Sequence, residues 1–317
     1  MSQTLFLFVL FAAPVVVAWF GWSVPLALLL VLLLLGWRQG LVLAALTKPP
    51  SGPELELETI LPSHFAEKAR WCLDRLGIDY VEKRQGAVLG LFLRGRTVPM
   101  LTIRTGQTRS SLCESSEILR YLYGRCAGDP DVDAAFLEPT PERLAWERRL
   151  DRYGVDQQIW VYHHLLNDPA LIKEAWGAES PRLSASQRWG IKIFYPVLEG
   201  LVKRAFEPER NHPKAVEHTE ALLADAEALL GDGRKSLLGG EAPDYVDLTL
   251  AALSALWMQP EEFAAGAGRD EAIEPARLPE KMRADMARWR SAYPATVAHI
   301  ERLYREERLP LRRPTPQ

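Results

Sequence analysis

Ser63 follows Pro62 where a period-two segment ends and a helical one begins. A hydroxyl at that place is an ordinary helix N-cap, and the free N–H groups of a helix start favour negative charge nearby. Glu114-Ser115-Ser116-Glu117 stands before a second helical segment, with the Ser-then-acid order of a capping box. Asp244 and Asp247 are three apart at the head of the run Leu248–Leu256, the first placed to cap that helix and the second to complete the box. Thiol chemistry has little to work with. Cys72, Cys113 and Cys126 form no CxxC, so a paired-thiol redox centre and a zinc–cysteine site both lack ligands. Three cysteines are too few for a disulfide framework, which fits a reducing compartment. His163 and His164 are neighbours on a helical segment and point about 100° apart, a poor metal pair. No metal site is expected.

These residues sit on a pattern of elements. Leu55–Leu61 alternates apolar and polar residues and reads as a strand. His64–Leu76 places Phe65, Ala69, Cys72, Leu73 and Leu76 at helical spacing, and Gly77 is a suitable stop. Ile78–Glu82 reads as a second strand. The segment Gly86–Arg96 has no clear reading. Val98–Ile103 is a strand opened through Pro99, Thr105-Gly106 turns the chain, and Gln107–Leu112 is its hairpin partner. A helix Ile118–Tyr123 follows. After Asp129 strand signals stop. Glu142–His164, Ile191–Phe206, His212–Leu230, Asp244–Trp257 and Pro279–Arg308, the last broken at Pro294, read as helices.

The order strand–helix–strand, then strand–strand–helix with a proline at its opening, resembles the thioredoxin-like domain of the glutathione transferase family. Pro62-Ser63-His64-Phe65-Ala66-Glu67-Lys68-Ala69-Arg70-Trp71 resembles the family's passage from first strand to first helix. Val98-Pro99 resembles its Val-cis-Pro, and Glu114-Ser115 with Ile118-Leu119-Arg120-Tyr121-Leu122 its Glu-Ser-x-x-Ile-x-x-Tyr-Leu signature. The Asp244/Asp247 box resembles a Ser/Thr-x-x-Asp box of the family's helical second domain, with Asp replacing Ser/Thr. The resemblance covers about residues 55–309. It implies an α/β thioredoxin-like domain at 55–126 that binds glutathione as co-substrate, and an all-α domain at 137–309.

By the same resemblance Ser63 contacts the glutathione thiol, and Val98 pairs its backbone with the cysteinyl part beside a cis Pro99. Glu114 and Ser115 hold the γ-glutamyl end, carboxylate to ammonium and hydroxyl to carboxylate. Arg94 or Arg96 is a weaker candidate for the glycyl carboxylate, because the family's second helix and its Asn-Pro are not recognisable before Val98. Trp160, Tyr162, His163 and His164 are candidates to line a second-substrate pocket, although aromatics on such a helix are more often core. No cysteine stands at the Ser63 position, which argues against the thiol–disulfide branch. Soluble relatives commonly dimerise, so a homodimer is an expectation of the resemblance alone.

The first 37 of the 317 residues carry no charged side chain. A bilayer core takes about 20 apolar residues per helix, and Leu5–Trp37 is longer than that. Gly21-Trp22-Ser23-Val24-Pro25 interrupts it. A helical hairpin (near 4–20 and 25–46) and a single long span both fit. The missing basic n-region and the length of the run disfavour a signal peptide. Residues 1–47 are therefore expected to be a transmembrane anchor and 48–54 a proline-rich linker. Arg38 and Lys48 place the following domain in the cytoplasm by the positive-inside rule. Overall the chain has 38 basic and 41 acidic side chains, which disfavours a nucleic-acid partner. Two functions stand: a membrane-anchored glutathione transferase acting on an apolar electrophile, and a non-catalytic adapter or binding module of the same fold. The set Ser63, Pro99, Glu114 and Ser115 favours the enzyme.

Overall fold

The computed structural model describes residues 54–60, 62–84, 98–106, 108–264 and 273–308, with scattered positions between 29 and 43. Two compact units result, one of Met1–Gly52 with Arg104–Arg109, the other of Pro53–Ile103 with Ser110–Gln317. In the first, every described position between Leu29 and Leu43 is helical, and Leu29, Leu32, Leu33 and Leu43 are each more than half exposed. Among the described residues no helix is long and apolar enough to cross a membrane. Most of the expected anchor, its charge Arg38, the linker up to Pro53, and Arg94 and Arg96 lie outside the described residues.

From Leu55 onward the chain forms a four-stranded sheet in the order β2-β1-β3-β4. β1 (Leu55–Thr59) pairs parallel with β2 (Val81–Arg84) and antiparallel with β3 (Met100–Thr105), while β4 (Thr108–Leu112) lies outside β3. Helix α1 (His64–Arg75) connects β1 to β2, and α2 (Ser115–Cys126) follows β4. This is the expected thioredoxin-like arrangement, with two corrections. β2 begins three residues later than its pattern suggests, because Gly77 at φ 66° ends α1 and the chain runs irregularly to the first β2–β1 pair, Val81 with Glu56. β1 is also buried along its whole length, Glu56 and Glu58 included. As a central strand it has no solvent face, so its alternation does not separate inside from outside; Lys83 Nζ answers the Glu56 carboxylate at 2.6 Å.

The helical part holds α3 (Pro141–Leu165), α4 (Pro169–Ala175), α5 (Ala185–Phe206), α6 (Pro208–Leu230), α7 (Tyr245–Met258), α8 (Glu280–Ala292) and α9 (Pro294–Glu306). The break at Pro294 falls as expected. The short α4 was not legible in the apolar pattern, although Asp168 caps it through the N–H groups of Ala170 and Leu171. α7 forms the centre: nearly every side chain is buried, and its capping box is complete. Asp244 Oδ1 accepts from Val246 N at 2.7 Å, and Asp247 accepts from Asp244 N, Leu237 N, Ser236 Oγ and His299 Nε2. A fully buried carboxylate is tolerated because four donors replace its water. On α3, the Tyr153 hydroxyl accepts Trp257 Nε1–H at 2.7 Å and bonds Ser254 Oγ at 2.8 Å, which locks α3 to α7.

Candidate functional site at one end of the sheet

The register brings the expected site residues to a common end of the sheet. Met100 pairs with Glu58 near the C-terminal end of β1, so Pro99 lies beside the chain that leads to Ser63. Thr102 Oγ1 and Ser111 Oγ are 3.4 Å apart across β3 and β4, so the chain leaves β4 toward Ser115 at that same end. Side chains then fix α2 against α1: Lys68 Nζ, five residues beyond Ser63, donates to Ser116 Oγ at 2.9 Å.

Ser63 is the N-cap of α1 and half-buried; its Oγ accepts from Ala66 N at 3.2 Å. The capping role uses a lone pair and leaves the hydroxyl hydrogen to donate. The Val98–Pro99 peptide is cis, with Pro99 buried and Val98 half-buried. Glu114 occupies the N-cap of α2 and is exposed, but its side chain makes no capping bond. α2 starts at Ser115, three residues earlier than its apolar pattern suggests, so both serines fall inside its first turn and the expected Ser-then-acid capping box does not form. The reason lies in tertiary contacts. Ser116 Oγ donates to Asp151 Oδ2 at 3.0 Å while it accepts from Lys68, so α2 is held from α1 and α3 instead of capped locally. Ser115, at the first turn, is buried to 6% exposure.

Sequence reasoning missed the charges that position these groups. The apolar pattern of α1 suggested one buried face, yet Glu67, Lys68 and Arg70 are all fully buried. Lys68 is answered by Glu147 and Asp151, each at 3.2 Å. Arg70 Nε meets Glu82 at 2.7 Å, and its other arm reaches Glu67. Glu67 also receives Arg308 Nε at 2.7 Å and Ala264 N at 3.0 Å. Burial alone would raise the Glu67 carboxyl, but Arg308 and Arg70 outweigh it and hold it below its ordinary value. An isolated buried ion costs several kcal/mol, so each charge requires its partner, and the set fastens α1 to the far C-terminal segment. Only the Glu-x-x-Arg spacing of Glu67 and Arg70 was visible beforehand.

His64 is neither a surface residue nor a donor to the site. Its ring is buried and Nε2 donates to the Gly154 carbonyl at 2.8 Å. Burial, only partly offset by that bond, lowers its pKa to about 4, so the ring is neutral. Gly154 is where α1 meets α3: a Cβ there would stand 2.5 Å from Phe65 Cζ. Cys72 is core, its thiol pushed up to about 12 by burial. Cys113 is half-buried and Cys126 buried, and neither is in a disulfide among the described residues.

Of the candidate pocket residues of α3, one is fully buried and three are half-buried. Trp160 is fully buried and donates Nε1–H to Asp285 Oδ2 at 3.0 Å. Tyr162 packs on Phe206 at 5.0 Å. His163 and His164 do not act as a pair: His163 stacks on His212 at 3.7 Å, and His164 Nε2 lies 3.3 Å from Asp285 Oδ2. Burial, reinforced by His163, holds His164 below its ordinary value, and His212 falls to about 4 through burial, His163 and His164.

Residues 62–125 match the family model for the glutathione S-transferase N-terminal domain. The stretch holds α1, the cis-proline strand and nearly all of α2. Several solved structures are similar at low identity. A glutathione S-transferase from Methylobacterium radiotolerans in complex with glutathione sulfonate is 18% identical, covering 83% of this chain and 98% of its own, with a TM-score of 0.46. One from Pseudomonas fluorescens is 16% identical over 81% and 98%, with a TM-score of 0.41. A theta-class enzyme from Xanthomonas axonopodis pv. citri with glutathione bound is 19% identical over 78% and 97%, with a TM-score of 0.33. No curated protein matches the chain.

Proposed function

We propose that this protein binds glutathione at the Ser63 end of the sheet and transfers it to an apolar electrophile. The supporting observation is Ser63 itself: its oxygen caps α1, and its hydrogen remains to meet a sulfur at a helix N-terminus. Lowering a thiol from about 8.5 to about 7 requires about 2 kcal/mol, and one hydrogen bond to a charged acceptor contributes about 1.5–3 kcal/mol. The thiol proton passes to water, and the thiolate so held attacks the electrophilic carbon; as the C–S bond forms, the bond from that carbon to its leaving group breaks and the group departs into water with the electron pair. Val98, before the cis Pro99, offers backbone to the cysteinyl portion. Ser115 with the α2 N-terminus takes the γ-glutamyl carboxylate, and exposed Glu114 takes its ammonium. Lys68, Asp151 and Ser116 are positioning residues for that helix start.

The same proposal places the protein at a membrane through residues 1–47, with the remainder facing the cytoplasm. It is supported by the uncharged first 37 residues and by the exposed leucines of the described helical positions. Such a tether suits substrates that partition into lipid. A homodimer is the expected assembly.

A second reading, a tethered binding module, draws on one observation. Ser63 already makes the bond of an ordinary N-cap, so the local structure is complete without a thiol. Calorimetric titration of the full chain in mild detergent with glutathione separates the two. Millimolar or tighter binding that Ser115→Ala weakens at least tenfold supports the transferase. No heat from a folded chain would overturn it in favour of the binding module.

A further inference from the structure

We propose that His164, His212 and Asp285 bind a divalent transition-metal ion of the zinc class, between α3, α6 and α8. One donor atom from each residue lies within 4.8 Å of the others. Zinc takes imidazole nitrogen and carboxylate oxygen at about 2.0–2.2 Å, which sets tetrahedral ligands roughly 3–3.5 Å apart. His164 Nε2 and Asp285 Oδ2 already stand at 3.3 Å, and no donor atom of the set lies more than 4.8 Å from another. The donors come from three helices, and three of the chain's six histidines gather here.

A second observation points to a ligand. His212 Nε2 is buried and has no hydrogen-bond partner among the described residues. Buried polar atoms are paired as a rule, and a coordinated ion supplies the partner this nitrogen lacks.

The surroundings are those of an oriented site. Trp160 Nε1–H and Arg288 each donate to the Asp285 carboxylate, at 3.0 and 2.9 Å, and fix its plane. The His163 ring stacks on His212 at 3.7 Å and sets its tilt. His163 is not among the converging donors, and its Nδ1 lies 3.2 Å from Glu209 Oε2 instead. The His164 side chain is 5% exposed and Asp285 21%, which leaves the fourth coordination position to solvent on one side. His164 is ten residues along α3 from Gly154, about 15 Å at helical rise. The metal site therefore stands apart from the Ser63 end of the sheet, and neither depends on the other.

The test uses untagged full chain in mild detergent, stripped with a chelator and titrated with Zn2+ against a chromogenic competitor, and in parallel with Co2+. One ion per chain is expected, with visible Co2+ bands of nitrogen–oxygen coordination. His212→Gln and Asp285→Asn should each weaken binding at least tenfold. His218→Gln, a histidine that instead bonds Asp156, should leave it unchanged. His212→Gln removes no hydrogen bond of Nε2, so it keeps the test valid if Asp285→Asn fails to fold. No stoichiometric ion, or one bound equally by His212→Gln, would overturn the proposal.

Discussion

The His64 imidazole makes the stability of this protein depend on pH in a calculable way. Burial lowers its pKa from 6.5 to about 4, and the ring is fully enclosed, so little solvent screening applies. Between those values the unfolded chain binds a proton that the folded chain refuses. Stability therefore rises with pH through this window and is lost as pH falls from about 6.5 toward about 4. Integrated from about pH 7.5 to about pH 4.5, the shift removes about 2–3 kcal/mol of folding free energy. In structural terms, acid weakens the seat of α1 on α3, because the charged ring cannot stay desolvated beside Phe65. Urea unfolding of the full chain in mild detergent, measured across that range, reads the effect directly. Other carboxylates and histidines titrate in the same window, so the comparison is with His64→Gln, whose amide can still donate to the Gly154 carbonyl. The variant should lose less stability on acidification, by about 2–3 kcal/mol. Equal acid dependence in both proteins would refute the argument that burial of His64 governs this step.

Gly154→Ala should destabilise the fold by about 1–3 kcal/mol through overpacking, since its Cβ would meet Phe65 Cζ at 2.5 Å and Leu253 Cδ1 at 3.2 Å; thermal unfolding checks it. Ser63→Ala should cost about 1 kcal/mol of stability as a lost N-cap and also raise the pKa of the bound glutathione thiol. An unchanged ultraviolet thiolate titration would leave Ser63 with its capping role alone. Removing residues 1–50 should release a folded protein from membranes; pelleting of the truncated chain after a high-salt wash would place the attachment elsewhere.

Much of the architecture was legible because it is local. The helices of the second half follow apolar spacing, and α3, α6 and α7 fall within a few residues of their expected bounds. The Asp244/Asp247 box was legible because an N-cap is settled within one turn. Val98-Pro99 and the segment from Pro62 to Trp71 carried the family resemblance by residue type alone, and the cis peptide and the match over 62–125 agree with it.

What escaped was what depends on partners distant in the chain. The spacing of Phe65, Ala69, Cys72, Leu73 and Leu76 carries no sign that Glu67, Lys68 and Arg70 are buried, because a charge is buried only where another element answers it. Here the answers come from Glu82, Glu147, Asp151 and Arg308. The expected Ser-then-acid capping box at the head of α2 failed for the same reason: Lys68 and Asp151 claim Ser116 from other helices. His163 and His164 are indeed a poor pair by helical geometry, but His212 and Asp285 reach the same point from α6 and α8. Local pattern determined which segments are strands and helices and which residue types sit at their ends. Tertiary packing alone decided which charges lose their water and which side chains converge, since desolvation and coordination depend on neighbours that sequence spacing does not reveal.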